Sequence, residues 1–143
     1  MKSSILAFIL LMSASAYAGG VKTIDGRVLS DLALVKAELK KPGPMVVLYS
    51  ETWCGACFLF HPTYEQLAAA MPNVRFYVLS NLKLEEHAEM CENHTEDDFC
   101  WIPTAVAGNT EDQVRHRPCL ILNSSDRSFD AVKQRILACL KLK

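Results

Sequence analysis

Met45-Val46-Val47-Leu48-Tyr49 runs on through Ser50 to Trp53-Cys54-Gly55-Ala56-Cys57 and then into a helix-compatible segment, Phe58 to Met71. The first five residues are too short and too uniformly apolar for a surface strand, so they read as a central strand buried on both faces. Two cysteines at the mouth of the following helix place the first thiol beside unpaired backbone N–H groups and the positive end of the helix dipole, which favours its thiolate. That arrangement makes a nucleophile for disulfides. A C-x-x-C pair also serves structural zinc, but zinc needs a second ligand pair, and no second C-x-x-C and no H-x-x-x-H occurs in the chain. Two buried cysteines packed as small hydrophobes fit poorly, because Gly55 and the flanking Trp53 suggest an exposed turn.

Working outward, the helix is expected from about Cys54 to Met71, with Phe60, Tyr64, Leu67 and Met71 along one face and Pro62 interrupting its hydrogen bonds. Pro72-Asn73 ends it, and Val74 to Leu79 reads as a second strand, parallel to the first by the right-handed crossover rule. Upstream lie a short extended stretch, Val21 to Leu29, and a helix capped by Ser30 with Leu32, Val35 and Leu39 at helical spacing, stopped by Pro42-Gly43-Pro44. Downstream, Leu84 to Cys91 suggests a short amphipathic helix and Glu92 to Asp98 a polar loop. Thr104 to Ala107 follows as a strand after Pro103, then a turn at Gly108-Asn109 and an antiparallel partner from Val114 to Leu122. Phe129, Val132, Ile136 and Leu140 mark the apolar side of a last helix, about Ser128 to Leu140, that would cover the sheet. The expected class is α/β, with a central mixed sheet of about four strands flanked by helices.

Residues 1–18 read as a secretory signal: Lys2 supplies the positive start, Ile5 to Met12 an apolar core, and Ala16-Tyr17-Ala18 a small-x-small cleavage site. The apolar run is far short of the ~20 residues a spanning helix needs, so no stable membrane insertion is expected after cleavage. No cysteine lies near the cleavage site to take a lipid. Residues 19–143 suit one domain with one core. Without the signal, 14 basic residues stand against 16 acidic ones, a formal charge of −2, and no basic patch points to nucleic acid. The expected location is periplasmic or secreted.

All six cysteines, Cys54, Cys57, Cys91, Cys100, Cys119 and Cys139, fall in the exported part. An even count in an oxidising compartment suggests structural disulfides outside the reactive pair. If Cys54 pairs with Cys57, three connectivities remain open, and the favoured one joins Cys91 to Cys100 and Cys119 to Cys139. His87, Cys91, His94 and Cys100 cluster in sequence, but their spacing matches no strong metal-ligand pattern, and a disulfide closing a polar loop is the simpler reading. His61 beside Pro62 could tune Cys54, though a surface role is the commoner one. Arg115-His116-Arg117 would sit in a strand whose alternation exposes either the arginines or the histidine. Neither histidine carries a catalytic assignment.

Three separate features now resemble the thioredoxin fold family: Trp53-Cys54-Gly55-Ala56-Cys57 between strand and helix, Pro62 five residues past the second cysteine, and Ile102-Pro103-Thr104, similar to the Ile-Pro-Thr whose proline is cis in that family. The element order resembles the family's from roughly Leu32 onward. The resemblance implies a thiol–disulfide oxidoreductase without a bound cofactor. In it Cys54 attacks, Cys57 resolves, and Trp53, Ile102 and Pro103 meet the substrate, with the Ile102 backbone pairing to an extended segment. The implied partners are protein thiols or disulfides and a redox partner protein of unknown identity. Two positions depart from the pattern. Leu48 stands where thioredoxins usually carry a buried acid, six residues before the first cysteine, leaving Glu51 as the nearest acid. Gly55-Ala56 stands where they have Gly-Pro, so the direction of exchange, reductase, oxidase or isomerase, stays open. Leu48 and the extra cysteines also keep a second reading in play, a non-catalytic binding or metal-handling module on the same fold.

Overall fold

A computed structural model describes residues 20–25, 33, 36–81 and 102–142. Five strands form one mixed sheet in the order β1-β3-β2-β4-β5. Strand β1 is Val21–Asp25, β2 Met45–Tyr49, β3 Arg75–Ser80, β4 Thr104–Gly108 and β5 Cys119–Leu120. Strands β1 and β2 both run parallel to β3, whereas β4 lies antiparallel to β2 and β5 antiparallel to β4. Helix α1, Gly55–Ala70, carries the crossover from β2 to β3; α2, Glu111–Arg115, follows β4; α3, Phe129–Leu140, ends the fold. The short helix read at Leu84 to Cys91 and its loop, the signal segment, and the Ser30 cap with Leu32 and Val35 lie outside the described residues.

All five residues of β2 are buried, as a strand with a packed layer on each face must be. Val46 and Leu48 face a core with Phe60, Tyr64 and Leu67 of α1 and Val132, Ile136 and Leu140 of α3. Met45, Val47 and Tyr49 face the opposite core with Tyr77, Leu79, Val106, Leu39 from helical residues 36–39, and Val114 of α2. The period of two along β2 therefore feeds two separate apolar layers.

Three differences from the sequence reading concern the sheet and its edges. The sheet has five strands rather than about four, because the extended stretch beginning at Val21 pairs with β3 over Val21–Asp25. Val114 to Leu122 is not one strand: residues 111–115 are helical and only Cys119–Leu120 pairs with β4. Thr110 explains the change, since its Oγ1 accepts from the Gln113 N–H while Glu111 and Asp112 favour the positive helix end. Gln113 Oε1 in turn accepts from the Asn109 N–H, so Thr110-x-x-Gln113 behaves much as a capping box does. The third difference follows from the second: His116 is the exposed C-cap of α2, and the strand alternation read for Arg115-His116-Arg117 does not apply.

The end of the 36–39 helical segment is held to β3 by Arg75. Its guanidinium donates to the carbonyls of Glu38, Lys41 and Gly43, placing a cation at the C-terminal end of that segment. Gly43 takes φ +118°, which a residue with a side chain adopts only under strain, and its N–H donates to Asn109.

Candidate active site

Register decides what gathers at the C-terminal end of β2. Tyr49 sits opposite Leu79 on β3 and Thr104 on β4, so Ser50, Ser80 and Pro103 all lie at that end of the sheet. Ser50 stays in the ladder through its N–H to the Leu79 carbonyl, 2.9 Å. The chain then turns through residues 51–53, with the Cys54 N–H donating to the Glu51 carbonyl and the Asn81 N–H donating to Glu51 Oε2 at 3.0 Å. Glu51 thereby ties the turn to the end of β3.

Cys54 is the N-cap of α1: its backbone is extended and its Sγ accepts from the Cys57 N–H at 3.1 Å. The two cysteines are joined in a disulfide with Cα atoms 5.2 Å apart. Helix α1 is 16 residues long and has no acidic residue in its first turn, so the positive end of its dipole meets Cys54 uncompensated. A thiolate generated there gains from both the dipole and the amide. The pair differs in access. Cys54 is 8% exposed and Cys57 1%, while Trp53 beside them is 77% exposed and Phe58 and Leu59 are exposed just beyond. Of the two, Cys54 is therefore the more exposed.

The peptide bond between Ile102 and Pro103 is cis, and Pro103 is buried at the start of β4 while Ile102 is half-buried against the core layer of Tyr49 and Val106. By the Tyr49–Thr104 register, Ile102 and Pro103 lie across from the turn that carries Trp53 and Cys54. Pro62 lies within α1 and offers no N–H to the Phe58 carbonyl, yet the helix continues to Ala70.

A thioredoxin family model matches residues 30–115, more than half of the chain. The chain belongs to the thioredoxin family. A thioredoxin from Ophiophagus hannah is 29% identical over 68 residues, which make up 46% of this chain and 65% of that relative's length. Thioredoxin f from spinach chloroplast, in its short form, superposes with a TM-score of 0.56 at 21% identity, covering 87% of this chain and 96% of the other. A structure of ferredoxin:thioredoxin reductase in complex with a thioredoxin f holds a similar chain, with a TM-score of 0.56 at 16% identity over 85% of this one and 96% of that one. These likenesses carry the fold.

Within this thioredoxin fold, the remaining residues singled out from sequence fall in three places. Cys119 and Cys139 are disulfide-bonded, joining β5 to α3 on the edge of the sheet away from β1. Cys91 and Cys100, with His87 and His94, lie outside the described residues, and no group of metal-binding side chains occurs among the described ones. His61 is on α1 one turn beyond Cys57, and its Nε2 is 2.8 Å from Ser50 Oγ. That contact was not legible in sequence, because eleven residues and a change of element separate the two. The apolar run of β2, which puts Leu48 in the core and leaves Ser50 as the first polar residue on the same face, is the only hint the sequence holds.

Proposed function

We propose that this chain is an exported thiol–disulfide oxidoreductase, periplasmic or secreted, that exchanges disulfides with protein cysteines through Cys54 and Cys57. The observation that carries the reading is a disulfide set at the uncompensated N-terminus of a 16-residue helix, with its first cysteine the more exposed and its sulfur already accepting a backbone N–H. In the reducing direction Cys54 Sγ attacks a client disulfide, one client sulfur leaves as thiolate, and a mixed disulfide forms. Cys57 Sγ then attacks Cys54 Sγ, the second client sulfur leaves, and two electrons have passed from the dithiol to the client. The oxidising direction reverses each step.

Trp53, Ile102 and Pro103 are the residues proposed to receive the client. An exposed indole offers apolar area beside Cys54, and the backbone at Ile102 offers strand-like pairing that demands little of client side chains. The reductase complex of a similar thioredoxin supports a protein redox partner of the same broad kind.

Cys54→Ser is expected to abolish insulin reduction, and Cys57→Ser to accumulate mixed disulfides visible on a non-reducing gel. Full activity in Cys54→Ser overturns the proposal. Background turnover in the native protein together with tight stoichiometric binding of a partner favours the binding-module reading instead. Export is tested by the mass of the mature protein, expected to begin at Gly19. A reduction potential measured against glutathione assigns the direction.

A further inference from the structure

Cys57 is almost fully buried, so a thiolate forming there during resolution has little water to take its proton. Strand β2 supplies no acid on the face that meets α1, where Val46 and Leu48 are core residues. Burial pushes the Tyr64 hydroxyl well above the usual phenol range and engages it as a donor to backbone carbonyls, so it is no acceptor. Glu51 is held by the Asn81 N–H. Among the described residues, one titratable ring remains on the Cys57 side of the helix. His61 follows Cys57 by four residues, which puts the two Cβ atoms roughly 6 Å apart.

We propose that His61, positioned by Ser50, accepts the Cys57 proton when the mixed disulfide resolves. This rests on the exchange reading above. Ser50 is 4% exposed, and its hydroxyl meets His61 Nε2 at 2.8 Å. A hydroxyl can donate to a neutral ring nitrogen or accept from a protonated one, so the bond persists through a change of charge. His61 also lines two adjoining cavities of about 290 and 300 Å³, which open a route from the ring to solvent. Among the described residues, the charged groups lining them are the carboxylates of Glu51 and Glu65; β1 and β3 contribute Val21, Thr23, Val78 and Ser80, none of them charged.

In the step itself the Cys57 Sγ–H proton passes to His61, directly, through one water or through Ser50 Oγ. The Cys57–Cys54 S–S bond then forms as the bond from Cys54 to the client breaks. The departing client sulfur carries the electron pair and takes up a proton from the imidazolium or from solvent. No further oxidant or reductant is needed.

Ellman's reagent separates the two steps, because the full chain with only its Cys54–Cys57 disulfide reduced releases one coloured thiolate when Cys54 attacks and a second when Cys57 resolves. Gln at position 61 can keep the bond to Ser50 but cannot titrate. His61→Gln is therefore expected to leave the first phase as in the native protein and slow the second by about 10²-fold, the usual scale for a lost general base. Added imidazole should restore the second phase in His61→Ala. Glu51→Gln should change neither phase. A native second phase in His61→Gln, equal slowing of both phases, or transfer of the defect to Glu51→Gln overturns the proposal. Absence of any first phase in the native protein instead removes the exchange reading on which it rests.

Discussion

Tyr64 joins three elements through one hydroxyl, donating from α1 to the carbonyls of Tyr77 on β3 (2.7 Å) and Val46 on β2 (3.2 Å). Its ring also meets Phe76 edge-on, with centroids 5.3 Å apart. Tyr64→Phe keeps the ring and removes the donor, and is expected to lower stability by about 1–2 kcal/mol, read as a shift in urea midpoint at unchanged slope. Because the phenol stays protonated throughout the accessible range, that loss should be the same at pH 6 and pH 9. At this scale the Cys54–Cys57 pair was legible, since C-x-x-C after an apolar run is a local pattern. The Ser50–His61 contact was not, because a hydrogen bond between a strand end and a helix face depends on how the two pack.

At the scale of elements, the junction of the 36–39 helical segment with β3 carries a titrating group. The Lys41 ammonium bonded to Glu38, followed by the Tyr77 hydroxyl and the Lys22 charge, outweighs partial burial and holds the Glu38 carboxyl down at about 2 from an ordinary 4.5. A carboxylate depressed on folding contributes stability above its unfolded value and loses it as pH falls through the folded one. Stability should thus hold above about pH 5 and decline between 4.5 and 2. Glu38→Gln should remove that part of the acid limb, a contribution of about 1–2 kcal/mol once screening at exposed Lys41 is allowed for. At the β4–α2 turn, a Cβ on Gly108 would lie 2.8 Å from Gln113 Cβ and 3.1 Å from Val114 Cγ2. Gly108→Ala is expected to cost about 1–3 kcal/mol by thermal melting, since strand and helix must part to admit it.

For the whole molecule, the Cys119–Cys139 disulfide closes a 20-residue separation and fastens β5 to α3. Replacing both by Ala should lower stability by ~3 kcal/mol, read as a fall in the denaturant midpoint, through a less constrained unfolded chain, while Ellman's first phase at Cys54 stays native. A parallel loss of exchange would mean that this edge of the sheet supports the site, a coupling the register does not suggest: β5 pairs only with β4, through Val106 and Ala107. The sequence left three connectivities open among four cysteines, and only the approach of β5 to α3 closes this one.

What the chain determines locally is the helix and strand content around its periodic segments: α1 with its cysteine cap, α3 behind Ser128, and β2 as a run buried on both faces. Each is written in neighbouring residues as spacing, cap and breaker, so no distant contact is needed to read it. Tertiary structure alone decided that Val21–Asp25 joins the sheet and that Ser50 meets His61. Those outcomes depend on strand register and on layers closing over β2. Register is a relation between segments far apart in the chain, with no periodic trace in either one.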